Sequence, residues 1–245
     1  MPVCELHYFS DALQMQTAAN LILPNPNLAG PYSVMFLLHG LSDDHTIWMR
    51  RTSIERYVSE LPLVVVMPNG GRGFYSDAVA GFKFATAIGE ELPKIIRSYL
   101  PVTDAWCAAG LSMGGYGAAR LALDHPTLFR SATALSAAMS FGHEVWEGDD
   151  PRVEEFRRIM GPNPVGGKDD LYAKFDALSA DGRPALRIDC GTEDFLIEQN
   201  RQFHAFLDER GFEHEYEEHP GAHTWEYWDA QIQPALAFHR RHLGI

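Results

Sequence analysis

Cysteine is scarce in this chain, with three among 245 residues: Cys4, Cys107 and Cys190. Their odd number and wide spacing exclude a disulfide framework and a Cys-x-x-Cys zinc site, leaving reduced, buried thiols as the expectation. Long apolar runs are lacking too. Nowhere do about eighteen apolar residues follow one another, so no membrane-spanning helix is expected. The opening stretch MPVCELHYFSDALQMQ places Glu5, His7 and Asp11 where a secretory leader would need an unbroken apolar core, which reads as a cytoplasmic protein. Positive charge is the third shortage: 20 Lys and Arg stand against 33 Asp and Glu, a formal net charge of -13. Basic residues gather no further than the pairs Arg50-Arg51, Arg157-Arg158 and Arg240-Arg241. Such a surface repels phosphate backbones and anionic lipid, and excludes nucleic acid and membranes as partners.

What is present is ordinary for a soluble globular protein: 46% hydrophobic and 22% charged residues, with no internal repeat. The length suits one α/β domain. ELHYFS and LQMQTAANLILP read as an opening pair of strands, and YSVMFLLHG and LPLVVVMPNG as buried parallel strands. Between the latter two, TIWMRRTSIERYVSE reads as one helix. A helical pattern from Phe82 to Leu100 contains Pro93, where a kink or restart is expected. AWCAAG is the next strand, followed by a helix through Asp124 that stops before Pro126, and by the strand RSATALSA. Residues 141–183 break the rhythm, with one short amphipathic piece near Val153 to Ile159, and read as a cap-like insertion over the sheet edge within a single domain of residues 1–245. PALRIDCG resumes the sheet, IEQNRQFHAFLDERG is a helix stopped by Gly211, and FEHEYEEHPG is a polar edge strand. A closing helix from Trp225 is expected to be interrupted at Pro234. The alternation predicts a mostly parallel sheet with helices on both faces.

The segment CAAGLSMGGYGAARLALDHP crowds Gly110, Gly114, Gly115 and Gly117 around Ser112. Gly110-Leu111-Ser112-Met113-Gly114 fits G-x-S-x-G, and a strand before it with a helix after it is the context that gives this short motif meaning. A serine at such a turn holds a strained backbone, and its neighbours must lack bulk for strand and helix to approach. The competing structural reading is a tight turn with a capping serine, or a phosphate loop. A Walker loop would need Gly-Lys-Ser/Thr, which is absent.

A serine hydroxyl needs an imidazole to accept its proton and a carboxylate to orient that imidazole. In chain order Ser, acid, His, the acid falls in Gly191-Thr192-Glu193-Asp194 at the carboxyl end of a strand, and the base in Gly221-Ala222-His223-Thr224-Trp225. Asp194 and His223 are the candidates, with Glu193 the rival acid and His219 and His214 the rival histidines. FLLHGLSDDHTIW supplies a second backbone donor at Leu41 beside that of Met113, so the two N–H groups form the candidate oxyanion hole. His39 reads as a brace for this loop. The gathering of His39, Asp43, Asp44 and His45 invites a metal reading, but the spacing of known hydrolytic zinc helices is missing and the acids suit helix capping. No metal and no cofactor are expected. Phe74, Tyr75 and Trp146 fall in loops expected near the pocket and are candidate acyl-binding residues, with local packing the alternative for each.

With the serine turn, HGLSDDHTIW, VVMPNGGRGFYSD and PGAHTWEYW together, the chain resembles the esterase D-like branch of the α/β-hydrolases, most closely the small bacterial tributyrin esterases. The resemblance covers nearly the whole length. It implies the α/β-hydrolase fold and a cytoplasmic serine carboxylesterase for short-chain acyl esters, with Ser112, Asp194 and His223 as triad and Leu41 and Met113 as oxyanion donors. The related S-formylglutathione hydrolases make a thioester the alternative substrate, and carbohydrate acetyl and feruloyl esterases are also near. A non-catalytic ligand-binding module is the alternative of a different class. The expected partner is a small-molecule ester; self-association into a homo-oligomer stays open.

Overall fold

The computed structural model describes residues 1–179 and 182–245. It opens with a hairpin, β1 (Val3–Ser10) and β2 (Met15–Ile22), followed by β3 (Tyr32–Leu38), β4 (Leu63–Pro68), β5 (Val102–Leu111), β6 (Phe129–Leu135), β7 (Ala185–Gly191) and β8 (Glu215–His219). These form one eight-stranded sheet in the order β1-β2-β4-β3-β5-β6-β7-β8. β2 runs antiparallel to both of its neighbours, and every later pairing is parallel. The apolar runs of β3, β4 and β5 sit at the centre because a strand covered on both faces can carry no polar side. The polar sequence of β8 lies at one edge, as its pattern predicts. The chain therefore has the α/β-hydrolase architecture.

Two apolar clusters flank the sheet. One gathers Phe36, Trp106, Tyr116, Phe129 and Phe203 with helix α5 (Met113–Asp124). The other packs Trp48, Ile54, Val65, Trp228 and Ile232 beneath α9 (Trp225–Leu243).

Three expectations are revised by the backbone, and a fourth, the restart at Pro93, is met. The helix after β3 is two short pieces, α1 (Ile47–Arg51) and α2 (Ile54–Tyr57). Thr52 donates its hydroxyl to the Trp48 carbonyl and leaves the helix in an extended conformation, while the next turn starts from Ser53, whose N–H is held by Asp229. From Phe84 the chain passes through α3 (Phe84–Thr86) and a π-helical turn (Ala87–Glu91) into α4 (Leu92–Tyr99). Pro93 has no N–H for the turn below it, and the widened turn accommodates that loss. Among its described residues the 141–183 segment holds two α-helices, α6 (Pro151–Met160) and α7 (Leu171–Ala177), where one was expected. Each begins at an aspartate that caps it: Asp150 accepts from the Arg152 N–H and Asp170 from the Tyr172 N–H. Lastly, α9 continues through Pro234, because Tyr227, Trp228 and Ile232 before it and Ala235, Leu236 and Phe238 after it are buried together, outweighing one missing hydrogen bond. Between β7 and β8 runs α8 (Ile197–Glu209), with Phe203 and Leu207 buried, and the chain leaves it through Gly211 in a left-handed conformation.

Candidate active site

β5 delivers Ser112 to the carboxyl end of the sheet. Its backbone has φ 53° and ψ −118°, outside the regions an L-residue ordinarily takes. A Cβ added to Gly110 would overlap the Gly114 carbonyl, and one on Gly114 would overlap the carbonyl oxygens of Leu38 and His39. The bare glycines thus let α5 start directly against β5 and β3. Among the described residues the Ser112 hydroxyl has no hydrogen-bond partner. It caps no N–H of α5, and among the described residues no hydrogen bond links it to His223.

Beside this turn, two other strand ends bring an acid and a base together. Asp194, three residues beyond β7, is buried, and its carboxylate accepts from His223 Nδ1 at 2.8 and 3.0 Å. The Leu196 N–H donates to the same carboxylate at 2.8 Å. Burial pushes the Asp194 carboxyl upward, but the bonds from His223 and Leu196 outweigh it and hold it below the usual carboxylate range. A carboxylate bonded to Nδ1 fixes that nitrogen as the protonated one and leaves Nε2 with a lone pair. The ring is wedged between Phe195 at 4.5 Å, whose own side chain is 75% exposed, and Trp228 at 4.8 Å, edge to face.

Neither the Leu41 N–H nor the Met113 N–H meets a protein acceptor among the described residues. Leu41 precedes Ser42, another residue with positive φ, so the loop bends sharply where its donor is exposed. His39 lies beneath it, buried. Its Nδ1 donates to the Gly40 carbonyl at 2.8 Å and its Nε2 accepts the Gly70 N–H at 2.9 Å. Burial lowers its pKa and favours this neutral, bracing form.

The other candidates are dispersed. Glu193 is exposed and accepts the Gly221 N–H, tying down the loop that carries His223 without touching the ring. His219 pairs with Glu217, and His214 meets His204. Asp44 accepts the N–H and hydroxyl of Thr46 at the start of α1, and His39, Asp43, Asp44 and His45 form no ligand cluster among the described residues. Of the aromatic candidates, Tyr75 is buried with its hydroxyl on the His39 carbonyl, and Phe74 is buried in a stack with Phe141 at 3.4 Å. Trp146 is half-buried, its indole N–H on the Phe141 carbonyl. Phe74 and Tyr75 both have positive φ, near 50°, and Arg120, itself buried, holds the Tyr75 carbonyl and Asp169.

Sequence reasoning missed Ser136, Trp228 and Arg120. Ser136, with φ 45°, accepts the Trp228 indole N–H and contributes to stabilising Asp194. Its only sequence signal is its place at the end of a buried strand. A second polar knot, Asp189 with Arg187 and Tyr227, lies under the same loops. Asp189, Glu217 and His219 come close enough for metal ligation, but the Arg187 guanidinium already occupies the space between the acids.

Among the described residues, a serine without a hydrogen-bond partner, an oriented imidazole and backbone donors without acceptors are the groups that serine hydrolysis requires. Residues 10–239 match the family described as "Putative esterase", and the chain belongs to that family. It is 28% identical to an acetyl esterase of Caldicellulosiruptor saccharolyticus, across 96% of this chain and 97% of the relative. Among solved structures it resembles FphF, a fluorophosphonate-binding serine hydrolase of Staphylococcus aureus solved with substrate bound, at 32% identity and a TM-score of 0.85. That match covers 97% of this chain and 98% of the other. An S-formylglutathione hydrolase (FrmB) of Staphylococcus aureus matches at 31% identity, TM-score 0.85 and the same coverage. The protein is a serine esterase, a carboxylic ester hydrolase of the esterase D-like kind acting on small esters. Among the described residues no helix is long and apolar enough to cross a membrane.

Proposed function

We propose that Ser112, His223 and Asp194 are the catalytic triad and that the protein hydrolyses short-chain acyl esters through an acyl-enzyme. The observation that carries this reading is the His223–Asp194 pair beside a serine whose hydroxyl is free and whose backbone is held in a strained turn. In this mechanism His223 Nε2 takes the proton from Ser112 Oγ as that oxygen attacks the ester carbonyl. Asp194 favours the imidazolium so formed. The N–H groups of Leu41 and Met113 receive the negative charge on the carbonyl oxygen, and because they have no protein acceptor to give up, they are oriented before the substrate arrives. Protonated His223 then gives its proton to the departing alcohol, and water repeats the sequence on the acyl group.

Aromatic residues around segment 141–183 support the reading of short acyl chains. This segment serves as a cap, with Trp146 the half-exposed wall of the acyl pocket and Phe74 and Tyr75 supporting it from beneath. The acetyl esterase relative supports acetyl esters as the first substrates to try, and the S-formylglutathione hydrolase relative keeps a thioester as the second reading. The same proposal places the protein in the cytoplasm, consistent with three unpaired cysteines, one of them exposed.

The test is labelling with a fluorophosphonate probe, which reacts only with an activated serine. Wild-type protein should be labelled and Ser112→Ala should not, both being folded by circular dichroism. Labelling that survives in Ser112→Ala would overturn the assignment. A panel of esters of graded acyl length, with S-formylglutathione included, then ranks the two substrate readings; replacing Trp146 by Ala should move the optimum to longer chains.

A further inference from the structure

Toward the opposite end of the sheet from Ser112, where the second half of α8 passes the start of β8, two imidazoles face each other. His204 Nδ1 lies 2.8 Å from His214 Nε2. The remaining nitrogen of each ring also faces an oxygen. His214 Nδ1 is 2.8 Å from the Phe212 carbonyl, which can only accept, so that nitrogen carries the ring proton and Nε2 is left as a lone pair. His204 Nε2 faces the Asp208 carboxylate, one helical turn on, at 3.4 Å. A proton placed there leaves Nδ1 a lone pair as well. Tyr216 stacks flat on the His204 ring at 4.0 Å and 4°, fixing its plane. With neutral rings, two lone pairs then point at each other, or one outer contact is lost; a cation between the rings satisfies all four nitrogens.

We propose that His204 Nδ1 and His214 Nε2 are ligands for a divalent transition-metal ion, zinc foremost, with Asp208 and the Phe212 carbonyl as the outer partners that orient the two rings. Metal-binding histidines characteristically donate their second N–H to a carboxylate or a backbone carbonyl; His214 does so to the Phe212 carbonyl, and His204 has the Asp208 carboxylate 3.4 Å from its second nitrogen. Zinc–nitrogen bonds of about 2.0–2.1 Å in tetrahedral geometry separate two ligand nitrogens by roughly 3.3 Å, so the rings must part by about half an ångström and turn until both lone pairs aim at the ion. His204, His214 and Asp208 each have a ligand-type atom within 4.8 Å of the others, so the carboxylate adds negative charge beside the ion. Access exists, since His214 also lines a cavity of about 570 Å³ with Arg183, Phe238 and His242. The bound ion would tie α8, which starts just after Asp194, to β8, which leads into the loop of His223. The site is independent of the esterase chemistry.

The test uses tag-free protein stripped with chelator and titrated with zinc chloride by calorimetry, with nickel and copper in parallel. The expected result is saturable binding of one ion per chain and a rise in melting temperature. His204→Gln and His214→Gln should each abolish the saturable phase. Asp208→Asn, a change at an exposed position that leaves the fold intact, should weaken binding roughly tenfold to a hundredfold. Absence of saturable binding would overturn the proposal. So would variants that bind as tightly as wild type, or imidazole NMR resonances that report a proton shared between the rings and do not move on adding zinc.

Discussion

Ser112 occupies a backbone conformation that costs on the order of 1–3 kcal/mol for a residue bearing a Cβ. The cost is tolerated because β5 and α5 are each packed into the sheet and leave the turn no alternative. Two substitutions separate strain from chemistry. Ser112→Gly should raise stability by about 1 kcal/mol while removing activity, and Ser112→Ala should remove activity with stability nearly unchanged. Urea denaturation and ester turnover measure both; a glycine variant less stable than the alanine one would show that the turn is unstrained. For Asp194→Asn, the amide can offer its N–H to Nδ1 and so stabilise the wrong imidazole tautomer. A loss on the order of 10⁴-fold in kcat is expected in a folded enzyme, read from turnover at neutral pH. Ser112, Asp194 and His223 were legible because each follows a strand, the first two apolar and the last polar, and stands within three residues of a glycine. Ser136 and Trp228 were not, since a serine after a strand and a tryptophan in a helix carry no local mark of what they touch 92 positions apart. Arg120 was equally hidden: an arginine on an alanine-rich helix reads as a solvated face, and only the folded 141–183 segment, through Asp169, buries it.

Elements were read correctly wherever apolar periodicity and a breaker coincided, as at β3, β4, α5 and α8. They were misread where tertiary packing overruled a local signal. Pro234 should end a helix, yet burial on both sides of it keeps α9 whole; Thr52 and Ser53 look harmless in a helix, yet their hydroxyl and amide are drawn elsewhere. The glycines of α5 give the sharper prediction at this scale. Gly114→Ala drives a methyl group into two backbone carbonyls that cannot rotate away, and should cost about 3 kcal/mol in urea denaturation together with most of the turnover. The pairing of α9 with β6 yields a second. His239, wholly buried, bridges the hydroxyls of Ser131 and Thr133 at 2.8 and 2.9 Å, and burial, with His242 and Arg187 nearby, lowers its pKa to about 3. The unfolded chain takes up this proton near pH 6.5 and the folded chain does not. Stability from His239 is therefore complete above pH 6.5 and declines as pH falls, by about 1.4 kcal/mol per unit. His39, His125 and His242 are shifted the same way. The carboxylates Glu217 and Glu218, held near 2 by Arg187 and Arg201, weaken the fold only below their ordinary value of 4.5 and so do not act between pH 6.5 and 5, while Asp43, Glu144 and Asp189, raised by burial, act in the opposite sense to the histidines and are cancelled by comparing variant with wild type. His239→Gln should reduce the slope of unfolding free energy against pH in that window by one proton's worth, and an unchanged slope would refute the assignment.

Across the whole molecule the net charge of -13 acts on substrates before any contact forms. An active-site rim bearing Asp43, Asp44 and Glu193 repels an anionic ester and is indifferent to a neutral one. Screening shortens this repulsion from about 30 Å at 0.01 M salt to about 8 Å at 0.15 M. For a neutral acetyl ester, kcat/KM should stay flat across that range. For an ester or thioester whose leaving group carries carboxylates, as glutathione does, kcat/KM should rise severalfold with salt, through KM and not kcat. The contrast also bears on the choice between the two substrate readings. A natural thioester with an anionic carrier would require a local cationic anchor to offset the field, and such an anchor would reverse the trend, making salt weaken binding. Steady-state kinetics of the two substrates at matched acyl groups and graded ionic strength thus distinguishes a site built for uncharged esters from one built for an anionic thiol ester.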